Sequence, residues 1–273
     1  MIVTTLVENT STSEEYGHEH GLSLHIETGS RKLLFDVGAS DLFLQNAQKL
    51  GVAIVDVDAL VISHGHYDHG GGLGAFLHAN KRADVFLHRQ AFEKHYRLGK
   101  DGELEYIGLA DEAGQDERIT FTSARHMINE SAWVFSNVVR REPHPVSNAA
   151  LVMAKDGQTT EDLFAHEQNL VIEEKGKIFL FTGCAHNGID NIIDHFYGLE
   201  GKMPDYVFGG FHLSNRGSGP EALAALDRLA ETLKGTKARY YTGHCTGLES
   251  FQRLKAVMGD KICYMTAGST IHV

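Results

Sequence analysis

The feature that most constrains this chain is a nearly continuous apolar run at residues 57–63 that passes without a linker into His64-Gly-His-Tyr-Asp-His-Gly-Gly-Gly72. A run of that length and character reads as a buried strand. Alternate positions just past a strand point the same way, so His64 and His66 can converge on one cation, while the turn swings Asp68 and His69 toward a neighbouring one. Borderline-soft ions such as zinc or iron accept imidazole nitrogen and carboxylate oxygen together. The glycines that follow let the backbone turn tightly. A histidine-rich surface loop is the bland alternative, and it does not account for the spacing or for the strand that feeds it.

The same event recurs along the chain. Alternation at 21–28 and the apolar residues 32–35 predict a hairpin ending in Asp36-Val-Gly38, and a helix is expected at 41–51. After the histidine motif, a helix at 73–80, a strand at 85–88 and a helix at 89–96 are expected, and 97–147 shows only weak periodicity. That stretch is read as insertions and loops shaping a pocket. A second hairpin, 170–174 with 177–181, leads to Thr182-Gly-Cys-Ala-His-Asn-Gly188 and a helix at 189–197. Strand 206–208 ends in Gly209-Gly-Phe-His212, a helix spans 220–233, and strand 239–242 ends in Gly243-His-Cys-Thr-Gly247 before a last helix at 248–258 and a short terminal strand. Strands that end on His or Asp and hand over to helices, with hairpins in both halves, predict a mixed α/β (α+β) sandwich rather than a doubly wound nucleotide fold.

Bulk properties narrow the function. No Pro-rich, Ser-rich or charge-block linker divides the 273 residues, which are read as one domain over 1–273. A net charge of −11 repels a phosphate backbone, so a small molecule is expected as partner and nucleic acid is not. No apolar run reaches the roughly 18 residues of a membrane helix, and the N-terminus lacks a basic start followed by an apolar core. The expectation is a cytoplasmic protein without membrane contact, with room for a homo-oligomer. Cys184, Cys245 and Cys263 cannot make a disulfide framework, and the first two sit beside histidines in glycine-rich turns.

With these motifs the chain resembles the metallo-β-lactamase superfamily, whose signature is this H-x-H-x-D-H after a buried strand. The resemblance extends over essentially the whole chain and implies a four-layer αββα sandwich. The segments Phe181-Thr-Gly-Cys-Ala-His-Asn-Gly188, Gly209-Gly-Phe-His-Leu213 and Tyr241-Thr-Gly-His-Cys-Thr-Gly247 look like a subgroup that includes a methanogen dihydropterin synthase making ribofuranosylaminobenzene phosphate derivatives.

The resemblance implies that His64 and His66 bind a first divalent metal and that Asp68, His69 and His244 bind a second. Two residues compete for the third place on the first metal: His166, ahead of the hairpin, and His186, in the turn after it. Cys184 stands where the family places a bridging aspartate, so it is either a thiolate ligand or a small buried residue, and the metal count is one or two accordingly. Zinc is the first expectation, with manganese or iron as alternatives. His212 sits where related hydrolases place a proton donor, as general acid or as support for the site. Asp68 belongs to the catalytic centre as a ligand and not as the acid. Asp36 resembles the buried aspartate that orients the ligand loop, and Glu19-His20-Gly21 is read as pocket lining. The implied activity is a metal-dependent hydrolase, or a transferase with the same activation, acting through metal-bound hydroxide on a small, anionic or phosphorylated molecule. The alternatives are a di-iron-type redox enzyme in the same fold and a non-catalytic metal sensor.

Overall fold

The computed structural model of the protein describes residues 1–143, 145–155, 157–214 and 219–273. Along its short strands, alternate side chains go to different buried clusters: Leu33 and Phe35 to one and Leu34 to another, Phe179 and Phe181 to the first and Ile178 and Leu180 to a third. That period of two is what a strand covered on both faces requires. Among the described residues the strands build two seven-stranded sheets. The first runs, in spatial order, Thr270–His272, Ile2–Val7, Ser23–Glu27, Lys32–Phe35, Ala59–Val61, Asp84–His88 and Ile119–Thr122. The second runs Ile262–Tyr264, Arg239–Thr242, Tyr206–Gly209, Lys177–Phe181, Asn169–Glu174, Ala132–Phe135 and Arg125–Met127.

Leu24, Phe35, Val61, Phe181, Phe208 and Tyr241 fill the space between the sheets. Helices Leu42–Lys49 and Leu73–Ala79 cover the outer face of the first sheet through Phe43, Ala47, Leu73 and Phe76. Helices Ile189–Glu200, Pro220–Gly235 and Leu248–Met258 cover the second through Ile192, Phe196, Leu229, Leu233 and Leu254. The result is the four-layer αββα sandwich.

Both expected hairpins are present, and Lys175 and Gly176 close the second with positive φ at both positions (50° and 73°), as a two-residue hairpin turn demands. Two expectations need correction. Residues 89–96 do not form a helix but lead into the strand Lys94–Leu98, which pairs antiparallel with Leu151–Lys155. A partner so distant in sequence leaves no local period to read. The stretch 97–147 is not simply loop: it supplies Ile119–Thr122 to the first sheet and Arg125–Met127 and Ala132–Phe135 to the second. Strands of three or four residues are too short to display an alternation. His144, in that stretch, lies outside the described residues. A separate four-stranded sheet, Gln158–Glu161, Leu151–Lys155, Lys94–Leu98 and Leu104–Tyr106, brings Arg97, Glu105 and Leu151 to a cavity at the ligand-bearing edge.

Direction matters most for the site. Lys32–Phe35, Ala59–Val61 and Asp84–His88 run parallel to one another, as do Lys177–Phe181, Tyr206–Gly209, Arg239–Thr242 and Ile262–Tyr264. Parallel neighbours finish at the same edge, so Asp36, His64, Cys184, His212 and His244 are delivered together from positions far apart in sequence.

Candidate metal centre

The turns at this edge are tight. Asp36, Ala185, His212 and His244 have left-handed φ (60°, 56°, 50° and 51°), a region that non-glycine residues rarely occupy and that collects at functional sites. At Gly209 (φ 133°) a Cβ would overlap the Thr182 carbonyl, and at Gly183 it would overlap the Ser63 hydroxyl, so the neighbouring turns can touch only because both residues are glycine.

Each central histidine except His66 has one ring nitrogen engaged by an oxygen behind it. The His69 Nδ1 hydrogen goes to Asp36 Oδ2 at 2.7 Å, and that carboxylate also accepts the Ser63 backbone N–H (2.7 Å) and hydroxyl (2.8 Å). The same Ser63 oxygen accepts the His64 Nδ1 hydrogen at 2.8 Å. His186 Nδ1 donates to Asn148 Oδ1 at 3.0 Å, and His244 Nδ1 to Asn9 Oδ1 at 2.8 Å. With that proton held outside, the neutral rings of His64, His69, His186 and His244 turn the Nε2 lone pair inward, while His66 faces His64 through Nδ1. Burial opposes a charge on His69, but Asp36 and Asp68 raise its protonation, so a cation there competes with a proton.

Those inward nitrogens crowd one another. His64 Nε2 lies 3.1 Å from His66 Nδ1 and 3.3 Å from His186 Nε2, and His69 Nε2 lies 3.2 Å from His244 Nε2 and 3.2 Å from Cys184 Sγ. Asp68 Oδ2 is 3.2 Å from His244 Nε2. Lone pairs facing one another without a proton repel, whereas donors about 3.3 Å apart are the edges of a tetrahedron around an ion with bonds of about 2.0–2.1 Å. Asp68, His69, Cys184 and His244 form one buried group of ligand atoms within 4.8 Å of one another and His64, Cys184 and His186 another, with His66 Nδ1 3.1 Å from His64 Nε2; His66 also groups with His95, Asp162 and His166. Cys184 is thus shared by the two groups, within 4.8 Å of the donor atoms of His64 and His186 and of those of Asp68, His69 and His244.

The electrostatics suit a cation. Burial, and then the neighbouring imidazoles, push the protonation of His64, His66 and His186 well down, so all three stay neutral. Burial opposes ionisation of Asp68, but His69 and then the hydrogen bond from His20 outweigh it and hold the carboxyl well below its usual range. Burial pushes the Cys184 thiol well up, so a cation must displace its proton for sulfur to bind.

His166 stands outside this constellation. Its Nδ1 accepts the Gly65 N–H at 2.9 Å, which leaves the ring proton on Nε2, directed at Asp162 Oδ2 3.3 Å away. Neither nitrogen of the neutral ring retains a lone pair for a cation. Asp162 also takes His95 Nδ1 at 2.9 Å, so His166, Asp162 and His95 form a buried layer behind His66. His212 is brought to the site: its ring centroid is 4.2 Å from that of His186, and its ring nitrogens have no hydrogen-bond partner among the described residues.

Sequence reasoning missed several residues. Glu167, fully buried, accepts the His186 and Asn187 N–H groups and the Asn187 amide, shaping the turn that carries His186. Glu8 Oε1 accepts the His244 N–H, and Asn148 and Asn9 hold His186 and His244. Only the run Glu167-Gln-Asn169, polar residues immediately before an apolar strand, offered any signal in the sequence. A cavity of about 370 Å³ is lined by His20, His66, Asp68, Cys184, His186 and His212, by the apolar Ile107, Val146 and Leu151, and by the ion pair Arg97–Glu105.

Fold and site together define a class, and comparison with known proteins agrees: the chain belongs to the metallo-β-lactamase superfamily, whose family model matches residues 17–244. It has the fold of the metal-dependent hydrolases of that superfamily. Among solved structures it is similar to Tm1679, described as a metal-dependent hydrolase of the β-lactamase superfamily, with 29% identity, a TM-score of 0.84 and coverage of 100% of this chain and 99% of that one. Two Methanocaldococcus jannaschii proteins are similar in sequence. One is the uncharacterized protein MJ0448, 27% identical over 93% of each chain. The other is 7,8-dihydropterin-6-methyl-4-(β-D-ribofuranosyl)-aminobenzene-5'-phosphate synthase, 26% identical over 87% of this chain and 88% of that one. Among the described residues no helix is long and apolar enough to cross a membrane.

Proposed function

We propose that this protein is a metal-dependent hydrolase, or a transferase using the same activation, for a small anionic molecule. The observation that carries the reading is the set of crowded donor atoms at the cavity, with His64, His69, His186 and His244 each backed by a hydrogen bond at Nδ1 that leaves Nε2 to face inward. His64, His66 and His186 would hold a first divalent cation, with His186 rather than His166 in the third place, and Asp68, His69 and His244 would hold a second. Cys184, whose sulfur is within 4.8 Å of donor atoms from both sets, would be the residue available to either. The cations supply Lewis acidity and a nucleophile available at neutral pH. The protein does the rest: Asp36 and Ser63 lock His64 and His69 in the binding tautomer, and the apolar wall excludes water from one side of the substrate. His212, its ring facing the cavity, delivers a proton to the leaving group. Arg97 lines the cavity paired with Glu105, so the attraction for a negatively charged substrate would come from the cations, and the transferase alternative draws on the synthase activity named for the methanogen relative.

Metal quantification on protein purified without added metal, followed by a panel of phosphodiester, phosphomonoester, lactone and thioester substrates, tests this. Zinc or manganese with turnover on one class is the expected result. Stoichiometric iron with visible absorbance and no hydrolysis would favour redox chemistry instead.

A further inference from the structure

We propose that Asn9 and His20 are positioning residues that set the cation affinity of the Asp68, His69 and His244 group, through one amide that fixes two imidazole tautomers. The inference rests on the metal-centre reading above and concerns residues outside both ligand sets.

A backbone donor fixes the first assignment. Gly21 N–H has no acceptor role, and it points at Asn9 Oδ1 from 3.3 Å, which identifies that atom as the amide oxygen. The same oxygen faces His244 Nδ1 at 2.8 Å. His244 must therefore carry its proton on Nδ1 and present a bare Nε2 to Asp68 Oδ2 and His69 Nε2, each 3.2 Å away. With its oxygen committed, the Asn9 amide turns its NH₂ toward His20 Nδ1 at 3.2 Å. Only a lone pair on that nitrogen can receive it. The His20 proton then sits on Nε2, 3.2 Å from Asp68 Oδ2.

One side chain thus assigns opposite duties to two adjacent rings, whose centroids are 4.7 Å apart. His244 becomes a lone-pair donor to a cation, and His20 becomes an N–H donor to the carboxylate that shares that cation. The hydrogen bond from His20 holds Asp68 Oδ2 in place while the carboxylate approaches His244. His20 itself is mostly exposed, with 59% of its side chain accessible, so it orients Asp68 without building the core. The His244 backbone is secured separately by Glu8, which also accepts the Tyr264 hydroxyl at 3.0 Å, so altering Asn9 leaves the His244 turn in place and removes the partners of its ring and of the Gly21 N–H.

The test is a competition titration of the metal-free full chain with Zn(II), and with Co(II) for its visible spectrum. Wild type is expected to bind two equivalents. Asn9→Leu and His20→Ala should weaken one equivalent about 10–100-fold and leave the other unchanged, the usual range for partners behind a ligand. His20→Gln, whose amide N–H can replace the imidazole donor, should lie closer to wild type than to His20→Ala. Two equivalents bound by Asn9→Leu as tightly as by wild type would overturn the proposal. So would a His20→Gln protein no better than His20→Ala, which would make His20 a direct ligand or a bystander. If Asn9→Leu fails to fold, the exposed His20 pair still decides. Wild-type protein that takes up no cation would instead refute the metal centre itself.

Discussion

Asp36→Asn changes no shape and almost no volume, yet the hydrogen-bond geometry predicts that it disturbs both cation sites. An asparagine keeping its oxygen on the Ser63 N–H places its NH₂ against the Ser63 hydroxyl and His69 Nδ1, both of which now donate to the carboxylate. His69 must then accept at Nδ1, which moves its proton to Nε2, toward Cys184 and His244. The Ser63 hydroxyl must likewise accept from the amide and donate to His64 Nδ1, moving that ring's proton to Nε2 as well. Two ligands are blocked, one in each group. Loss of a partner behind a ligand weakens affinity about 10–100-fold, or about 1.4–2.8 kcal/mol per site at ~1.4 kcal/mol per tenfold. Each contact that exchanges a charged acceptor for a neutral, reversed hydrogen bond costs a further ~1 kcal/mol of stability. Competition titration with Zn(II), alongside thermal unfolding of the metal-free protein, gives both quantities. The expected pattern is two weakened equivalents, in contrast to the single one expected for Asn9→Leu. Wild-type affinity for both equivalents in Asp36→Asn would refute the tautomer argument.

Three further outcomes are expected. His212→Ala should lose about 10²–10⁴-fold on substrates with poor leaving groups and far less on activated aryl esters; equal losses would show that the ring orients the site rather than protonating a product. Cys184→Ala should lose one metal equivalent, and metal should protect Cys184 from iodoacetamide, with exposed Cys263 as the internal reference for alkylation by peptide mass spectrometry; full metal content and equal alkylation rates would reduce Cys184 to packing. His88 is held at about 4 by burial, then by His166 and Arg89, against 6.5 for the free side chain. Between those values the unfolded chain binds the extra proton, so stability falls as pH drops through that window, by at most about 1.4 kcal/mol per pH unit. His88→Gln should flatten the slope of unfolding free energy between pH 6.5 and 4, and parallel curves for the two proteins would exclude this role.

The left-handed backbone at Asp36, Ala185, His212 and His244 bears on how such a site persists. Each such residue costs of order 1–3 kcal/mol unless its surroundings compensate. Glu8 grips the His244 N–H, Glu167 the turn around Ala185, and Ser147 Oγ donates to the His212 carbonyl at 2.6 Å. These buried or half-buried polar groups offset the strain of turns that lift ligands above the strand ends. The three apolar clusters lie mainly between and outside the sheets and enter these turns only through residues such as Val37, Ala185, Phe211 and Leu213, so the ligand side chains themselves can be altered with the fold left standing.

Residues whose chemistry is written in local order are legible in the amino-acid sequence itself. The strand into His64-x-His66-x-Asp68-His69, the hairpins at Asp36 and Cys184, and the strand ends at His212 and His244 follow from alternation and adjacent residue types, and from them came the αββα family and the ligand-bearing edge. What adjacency could not settle was which of His166 and His186 turns its lone pair to that edge. The choice depends on the Gly65 N–H, which consumes the His166 Nδ1 lone pair, and on Asn148, which takes the His186 proton, and neither partner is near its histidine in sequence. The same holds for Asn9, Glu8 and Glu167, polar residues without a motif whose meaning arises only when parallel strands bring their turns together. Sequence order determined which donors the chain owns; tertiary contacts decided where each proton sits, because a tautomer is set by the partner behind the ring and not by the ring's neighbours along the chain.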